Sequence, residues 1–245
     1  MTEKTRASLE PAYLLHQYAY RDSSRIAEFL TREHGRISAV ARGIRRARSR
    51  TAGLLQPFQP LLVSWTGRDL MTLTGIEGNG TAPGLKGDAL LAGFYVNELC
   101  LRLLASHDPH PEIFDLYQAC LADLAGHDGQ LAIRLRYFEA DLLEALGYGL
   151  LLDADKVTGE VVQADALYSV DPETGPTRVA DSTQGRLMLQ GGVLLALGRR
   201  AIETAEQERQ ARTLLRAALD RQLGGRPLKS LDVLRSIYRQ QGGDK

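Results

Sequence analysis

The sequence is short of the residues that most enzymes and metal proteins depend on. It has two cysteines, Cys100 and Cys120, in 245 residues, and no CxxC pair. Zinc sites of the common thiolate kind are therefore not expected, and neither is a disulfide scaffold. Both cysteines lie in helix-like apolar patterns, so buried free thiols in a reducing compartment are expected. There is no GxxxxGK[ST], no GxGxxG opening a helix and no GxSxG elbow. With no recognisable nucleophile, metal set or cofactor loop, the chain is expected not to be an enzyme and to need no cofactor. The first residues, MTEKTRASLEP, hold no apolar signal-peptide segment. No apolar run reaches the roughly 18 residues of a membrane span. A soluble, cytoplasmic protein is expected. Net charge is absent too: 30 basic and 30 acidic residues cancel, which excludes a uniformly basic coat for nucleic acid.

What is present is unevenly distributed. Arg42, Arg45, Arg46, Arg48 and Arg50 fall within nine residues with no acid among them. Such close guanidiniums repel one another unless an anion sits between them, and each offers a planar fork that matches phosphate oxygens. A solvated charge run is the bland alternative. Against it, the apolar runs Ile37–Val40 and Leu61–Trp65 tie down both ends of the loop. Residues 139–181 hold ten acids against Lys156 and Arg178. Residues 221–239 turn basic again.

The first 80 residues read as short strands. Residues 1–10 are polar and expected to fray. Ala12–Tyr18, Ile26–Thr31, Arg36–Ala41, Pro60–Thr66 and Leu70–Glu77 are apolar or alternating runs separated by turn signals, with Gly35 at a hairpin position that needs positive φ. Five short strands in this length predict a small barrel of the OB type. Tyr13, Tyr18, Tyr20, Phe29, Phe58 and Trp65 are its aromatic residues. Barrels that bind single strands stack bases on such rings, but strand alternation turns half of them inward. Gly78–Gly84 is a linker, and beyond it the period becomes helical. Ala89–Ala105, a stretch from Pro111, Leu131–Leu146 closed by Gly147, Ala201–Leu223 and Leu231–Arg239 are predicted helices. Residues 153–181 read as loop with a β-ribbon, and Gly185–Leu197 is ambiguous. The expected fold is therefore α+β: a five-stranded OB-fold barrel over residues 1–80, then a mainly helical domain over residues 81–245.

His107, His110 and His127, with Asp108 and Asp128, admit a metal or acid–base reading. The same residues also suit a helix–helix connection. Gly224-Gly225-Arg226-Pro227-Leu228-Lys229-Ser230 reads either as a helix stop and restart or as a second basic element at an anion-attracting helix N-terminus.

Taken together, HGRISAVARGIRR…GLLQPFQPLLVSWTGR, LRYFEADLLEALGYGL and LGGRPLKS resemble the bacterial recombination mediator family RecO, in the family's order and over nearly the whole chain. The resemblance implies binding of single- and double-stranded DNA and annealing of complementary strands. It implies recruitment by the acidic, apolar tail of the single-stranded DNA-binding protein SSB, and work with RecR, and often RecF, to load RecA during repair of DNA damage at the bacterial nucleoid. The DNA-binding set expected here is Arg36, Arg42, Arg45, Arg46, Arg48, Arg50 and Lys229. An acidic peptide with an apolar end needs a cation beside a greasy pocket. Arg134, Arg136, Tyr137, Leu142, Leu146 and Lys229 supply that mixture as the expected SSB-tail site, although Arg134 and Arg136 would equally pair with neighbouring acids. Two departures stand out. Leu231 takes the arginine position of the family's PLKSR turn. The segment where some members carry four zinc-binding cysteines has acids instead, so a zinc-free member is expected. Two other function classes remain open: an interaction scaffold that grips an acidic protein, and an RNA-binding OB module.

Overall fold

A computed structural model describes residues 5–22, 24–42, 50–68, 70–126, 130–180 and 187–230. Its first element is a closed barrel of five strands: β1 (Thr5–Tyr20), β2 (Ser24–Thr31), β3 (Gly35–Ala41), β4 (Leu61–Gly67) and β5 (Met71–Gly78), with a short helix α1 (Arg50–Leu54) between β3 and β4. Strand order is β1-β2-β3-β5-β4, closing back on β1. All ladders are antiparallel except β3 with β5, a parallel seam with the partner pairs Ala39–Met71 and Val40–Thr72. This is the OB topology expected from the strand spacing.

The barrel forms because alternate residues of each strand converge on one interior. Ala12, Leu14, Ala27, Phe29, Ile37, Ala39, Ala41, Leu55, Leu61, Val63, Trp65 and Met71 make one buried cluster. Each large side chain so buried contributes about 1.5–3 kcal/mol. Gly35 sits at φ 64° in the β2–β3 turn, and a Cβ there would meet the Asp108 carbonyl oxygen at 2.0 Å. Glycine is therefore required twice, by its dihedral and by the close approach of another backbone.

β1 is longer than the expected Ala12–Tyr18. Thr5–Glu10, expected to fray, pairs with β4 through Thr5–Gly67, Arg6–Thr66, Ala7–Trp65 and Glu10–Val63, with a bulge between Ala7 and Glu10. Leu9 lies in that bulge at φ 53°, and its N–H donates to Ser64 Oγ at 3.0 Å. The bulge breaks the period-2 pattern, and that is why the segment does not look like a strand.

Two helices belong with the barrel: α2 (Gly87–Leu103) and α3 (Pro111–Gly126). A second β1 bulge, between Leu14 and His16, bends carbonyls out of the ladder. Buried Asn97 on α2 takes them up, donating from Nδ2 to Leu15 O at 3.0 Å and Leu14 O at 3.4 Å. The Tyr117 hydroxyl on α3 donates to Asn97 Oδ1 at 2.6 Å, and the Tyr13 ring meets those of Phe114 and Tyr117 at 5.4 and 4.9 Å.

The chain divides into two compact units. The first takes in the described residues of Met1–Gly126 together with those of Leu228–Lys245, and the second those of His127–Pro227. These units part after α3. The second unit holds α4 (Leu131–Ala145), β6 (Leu167–Asp171), β7 (Gly175–Val179), β8 (Leu187–Gln190), α5 (Gly191–Gly198) and α6 (Ala205–Gln222). Its sheet runs β7-β6-β8, so the expected ribbon in 153–181 exists and the ambiguous Gly185–Leu197 resolves into a strand and a helix. Leu142, Leu143, Leu194, Leu197, Leu214 and Leu215 form its interior. Thr204 and Gln207 close a reciprocal capping box at the start of α6. Gly147 and Gly224 stand past α4 and α6 at φ 81° and 61°, the left-handed stop expected of glycine. The predicted helix Leu231–Arg239 lies outside the described residues.

Buried Asp155 organises the start of the acidic segment 153–181. Its carboxylate accepts the N–H groups of Val157, Thr158 and Arg178 at 2.8, 2.9 and 2.5 Å, tying the 155–158 turn to β7. The Arg178 N–H, followed by the turn's own N–H groups, holds its pKa below the usual aspartate value.

Candidate nucleic-acid interface

The arginine loop is rooted on both sides in the barrel. β3 ends at Ala41, which is 1% exposed, and Arg42 follows it into solvent. On the far side Leu55, just beyond α1, is again 1% exposed and packs in the barrel core. Arg45, Arg46 and Arg48 lie outside the described residues, and of Arg50 only the backbone, opening α1, is described. The register carries Ala19 of β1 opposite Arg25 of β2, and Arg25 opposite Ala41. Arg25, Arg42 and the exposed Arg21 of the β1–β2 turn therefore share one end of the barrel.

Arg36, expected in the same set, has another role. Its Nη1 donates to Glu28 Oε2 at 2.9 Å and its Nε to Leu104 O at 3.1 Å. Ser38 Oγ occupies the other Glu28 oxygen at 2.7 Å. With the side chain only 18% exposed, this cation neutralises a buried acid and joins β3 to the chain after α2.

Lys229 keeps an exposed side chain, but the turn around it is already occupied. Leu228 is 2% exposed. The Glu98 carboxylate on α2 accepts Lys229 N–H at 3.0 Å, Ser230 N–H at 2.8 Å and Ser230 Oγ–H at 2.7 Å. The anion at this turn is internal. Burial pushes the Glu98 carboxyl up, but the Ser230 and Lys229 donors and Arg102 outweigh it and leave its pKa below the usual value.

The expected peptide site on α4 is divided by the structure. Arg136 is buried, with Nη2 on Glu139 at 2.5 Å and Nη1 on Glu208 at 3.0 Å. Two carboxylates hold it, so it welds α4 to α6, and Leu142 is fully buried in the core. Of the neighbouring acids expected as partners, Glu139 pairs with Arg136, buried instead of on the helix surface, while Arg200 takes Asp141 and Glu144. The Tyr137 hydroxyl accepts Ile202 N–H at 2.8 Å. Arg134 and Leu146 are half-buried, and Arg134 reaches Gln130 Oε1 at 3.5 Å. Lys229 belongs to the first unit and the other five residues to the second.

His110 bridges Glu112 at 3.0 Å and Asp108 at 3.3 Å. Burial lowers its pKa, but the two carboxylates together raise it above the ordinary histidine value. It serves the α2–α3 connection, and among the described residues no His, Cys, Asp and Glu group is placed to hold a metal. His127 and Asp128 lie outside the described residues. No helix among those residues is long and apolar enough to cross a membrane.

The aromatic residues sort cleanly. Tyr13, Phe29, Phe58 and Trp65 are buried. Tyr18 is 46% exposed and Tyr20 half-buried, both on the β1 half that leads to the basic end of the barrel. His16 is exposed beside Tyr18.

Comparison with known proteins places this geometry. The family model described as Recombination protein O N terminal matches residues 6–81, and that described as Recombination protein O C terminal matches residues 85–232. A DNA repair protein RecO from Nitrosococcus oceani is 43% identical over 235 residues, covering 96% of this chain and 95% of the relative. The RecO of Methylococcus capsulatus is 43% identical over 96% of both chains. That of Alkalilimnicola ehrlichii is 46% identical over 96% of this chain and 92% of the relative.

Proposed function

Because the chain belongs to the RecO family of DNA repair proteins, with that family's general role in recombination repair, we propose that it binds DNA through the arginine loop of its barrel and anneals complementary strands. The observation that carries this reading is the density of arginine between two stems that are each anchored in the barrel core. Such a loop offers charge and bidentate forks and no element that reads a groove. Binding is therefore through phosphates, without sequence preference. Annealing then requires no catalytic group. It requires two strands held close with their charge screened, while the bases do the pairing.

The phosphate ligands in this reading are Arg42, Arg45, Arg46, Arg48 and Arg50, with Lys229 as an outlying contact. Arg36 acts only by holding Glu28. The SSB tail is assigned to the surface of α4 around Arg134 and Leu146, with Arg136 and Leu142 supporting that helix from within. RecR, and RecF where it acts, complete the assembly that loads RecA onto SSB-coated strands; this part rests on the family resemblance.

The test is fluorescence anisotropy of labelled oligo-dT at several salt concentrations, with the native chain and with the five loop arginines changed to alanine. Binding that weakens with salt and collapses in the folded variant supports the proposal. Equal binding by the variant sinks it. Preference for an acidic peptide over DNA would move the function to the scaffold class, and preference for RNA to the RNA-binding class. RecA loading on SSB-coated DNA, with and without RecR, tests the mediator step.

A further inference from the structure

A loop of arginines binds phosphate wherever it is found, so it cannot by itself tell an unpaired strand from a duplex. A feature beside it can. Strand alternation puts His16, Tyr18 and Tyr20 on one outer face of β1. The His16 and Tyr18 rings lie side by side, centroids 6.2 Å apart and planes 29° from parallel. The Arg21 guanidinium stands over the Tyr20 ring, 5.1 Å from its centroid. These rings lie next to the basic end of the barrel, because Tyr20 is opposite Ser24 and the neighbouring pair Ala19–Arg25 continues across to Ala41, where the arginine loop begins.

We propose that His16, Tyr18 and Tyr20 form a stacking surface for the unpaired bases of single-stranded DNA whose phosphates are held at the arginine loop. The inference rests on the reading of the loop as a DNA site and adds the discrimination that the loop lacks. Three observations carry it. The first is exposure: Tyr13, Phe29, Phe58 and Trp65 of the barrel segment are buried, whereas Tyr18 remains 46% open. The second is charge. Arg21 and Arg42 are exposed at this end, while the acid on this face, Glu28, is paired with Arg36 and accepts a hydrogen bond from Ser38. Asp22, in the β1–β2 turn, is the one exposed acid at this end among the described residues. An anionic ligand with flat apolar groups fits such a surface. The third is spacing. The 6.2 Å between ring centroids is nearly twice the rise of about 3.4 Å per nucleotide in B-DNA. Successive bases reach successive rings only after they leave the duplex stack.

The test compares the full-length chain with a Tyr18→Ala/Tyr20→Ala variant and a Tyr18→Phe/Tyr20→Phe variant, by anisotropy on oligo-dT and on a duplex of the same length. The alanine variant should lose about thirtyfold in affinity for oligo-dT, the lower end for two stacked bases, and keep its duplex affinity within about twofold of the native chain. The phenylalanine variant, which keeps the rings, should bind like the native chain. Unchanged oligo-dT affinity in a folded alanine variant overturns the proposal, and so does an equal loss on both ligands. An arginine-loop variant run alongside separates the two claims: it should lose both ligands, and its failure to do so would count against the loop alone. A 5-iodouracil oligonucleotide should crosslink on irradiation to the peptide holding Tyr18 and Tyr20. Crosslinks confined to other peptides would also overturn the inference.

Discussion

Glu98 shows how a single carboxylate decides what a basic motif does. The turn at Lys229 and Ser230 offers N–H groups that a phosphate would fit, and Glu98 fills them with two N–H bonds and one hydroxyl bond. Charge-assisted bonds of this kind contribute about 1.5–3 kcal/mol each at most. Glu98→Gln should lower unfolding stability by about 1–3 kcal/mol, read from denaturant midpoints. The pH dependence has a fixed sign. The folded pKa lies below the ordinary glutamate value, so the contribution is present above the unfolded pKa and disappears as pH falls through the folded one. The difference between native chain and variant should shrink with acidification, and a constant difference would remove Glu98 from the account. Arg136 is the parallel case. Arg136→Ala leaves Glu139 and Glu208 facing each other without their cation, and should cost about 3–5 kcal/mol, seen as a fall in the thermal midpoint. A variant of full stability with lost peptide binding would instead make Arg136 a ligand residue.

At the scale of elements, the loop and the segment around Asp155 make opposite uses of charge. If four phosphates are neutralised on single-stranded DNA, log K should fall against log salt with a slope of about −3. The five-alanine variant should flatten that slope, and titration from low to high salt checks both. In the segment 153–181 two acids, Asp155 and Asp171, serve the fold. Asp155 holds three N–H groups, and Asp171 caps the β6–β7 turn through Glu173 and Thr174 while pairing with Arg221. Arg221 chiefly, then the two backbone donors, brings the Asp171 pKa down to about 2. Asp155→Ala should loosen the 155–158 turn from β7 and destabilise the second unit by about 1–3 kcal/mol. Faster hydrogen exchange at Val157, Thr158 and Arg178 would report it.

This scale also shows what could be read in advance. Four of the five barrel strands, the Gly35 hairpin and the Gly147 helix stop were legible, because period-2 alternation and left-handed glycines are local signals. The first half of β1 was not, since the Leu9 bulge shifts its alternation. Gly191 escaped for another reason: a Cβ there would meet the Gln163 carbonyl at 1.9 Å, a packing demand that no neighbouring residue announces. In the candidate site, Arg42 at the root of the loop was legible from charge. The different duties of Arg36 and Arg136 were not, because Glu28 and Glu208 reach them only through tertiary structure. His16, Tyr18 and Tyr20 needed the strand's facing to separate them from the buried rings.

For the whole molecule, zero net charge is a sum of unlike parts. Folding matches Arg36 with Glu28, Arg136 with Glu139 and Glu208, Arg200 with Asp141 and Glu144, and Arg221 with Asp171 and Glu173. Seven acids are thus matched to four arginines by the fold, while residues 42–50 are an arginine-rich run with no acid in the sequence among them. We expect the fold to stand without zinc, with Asp155 tying the 155–158 turn to β7. Thermal melts with and without a chelator should superimpose, and a chelator-dependent fall in midpoint would reveal a resident metal. The barrel itself carries one more consequence. β2 and β3 are joined over seven residue pairs, whereas the parallel seam between β3 and β5 has two, and the arginine loop departs two residues past it. The cylinder is therefore sewn most lightly beside the root of the arginine loop. Thermal breathing should open there first, at Val40 and Thr72, and a strand clasped by the loop should act as a stitch that slows amide exchange at those two positions ahead of any other part of the barrel.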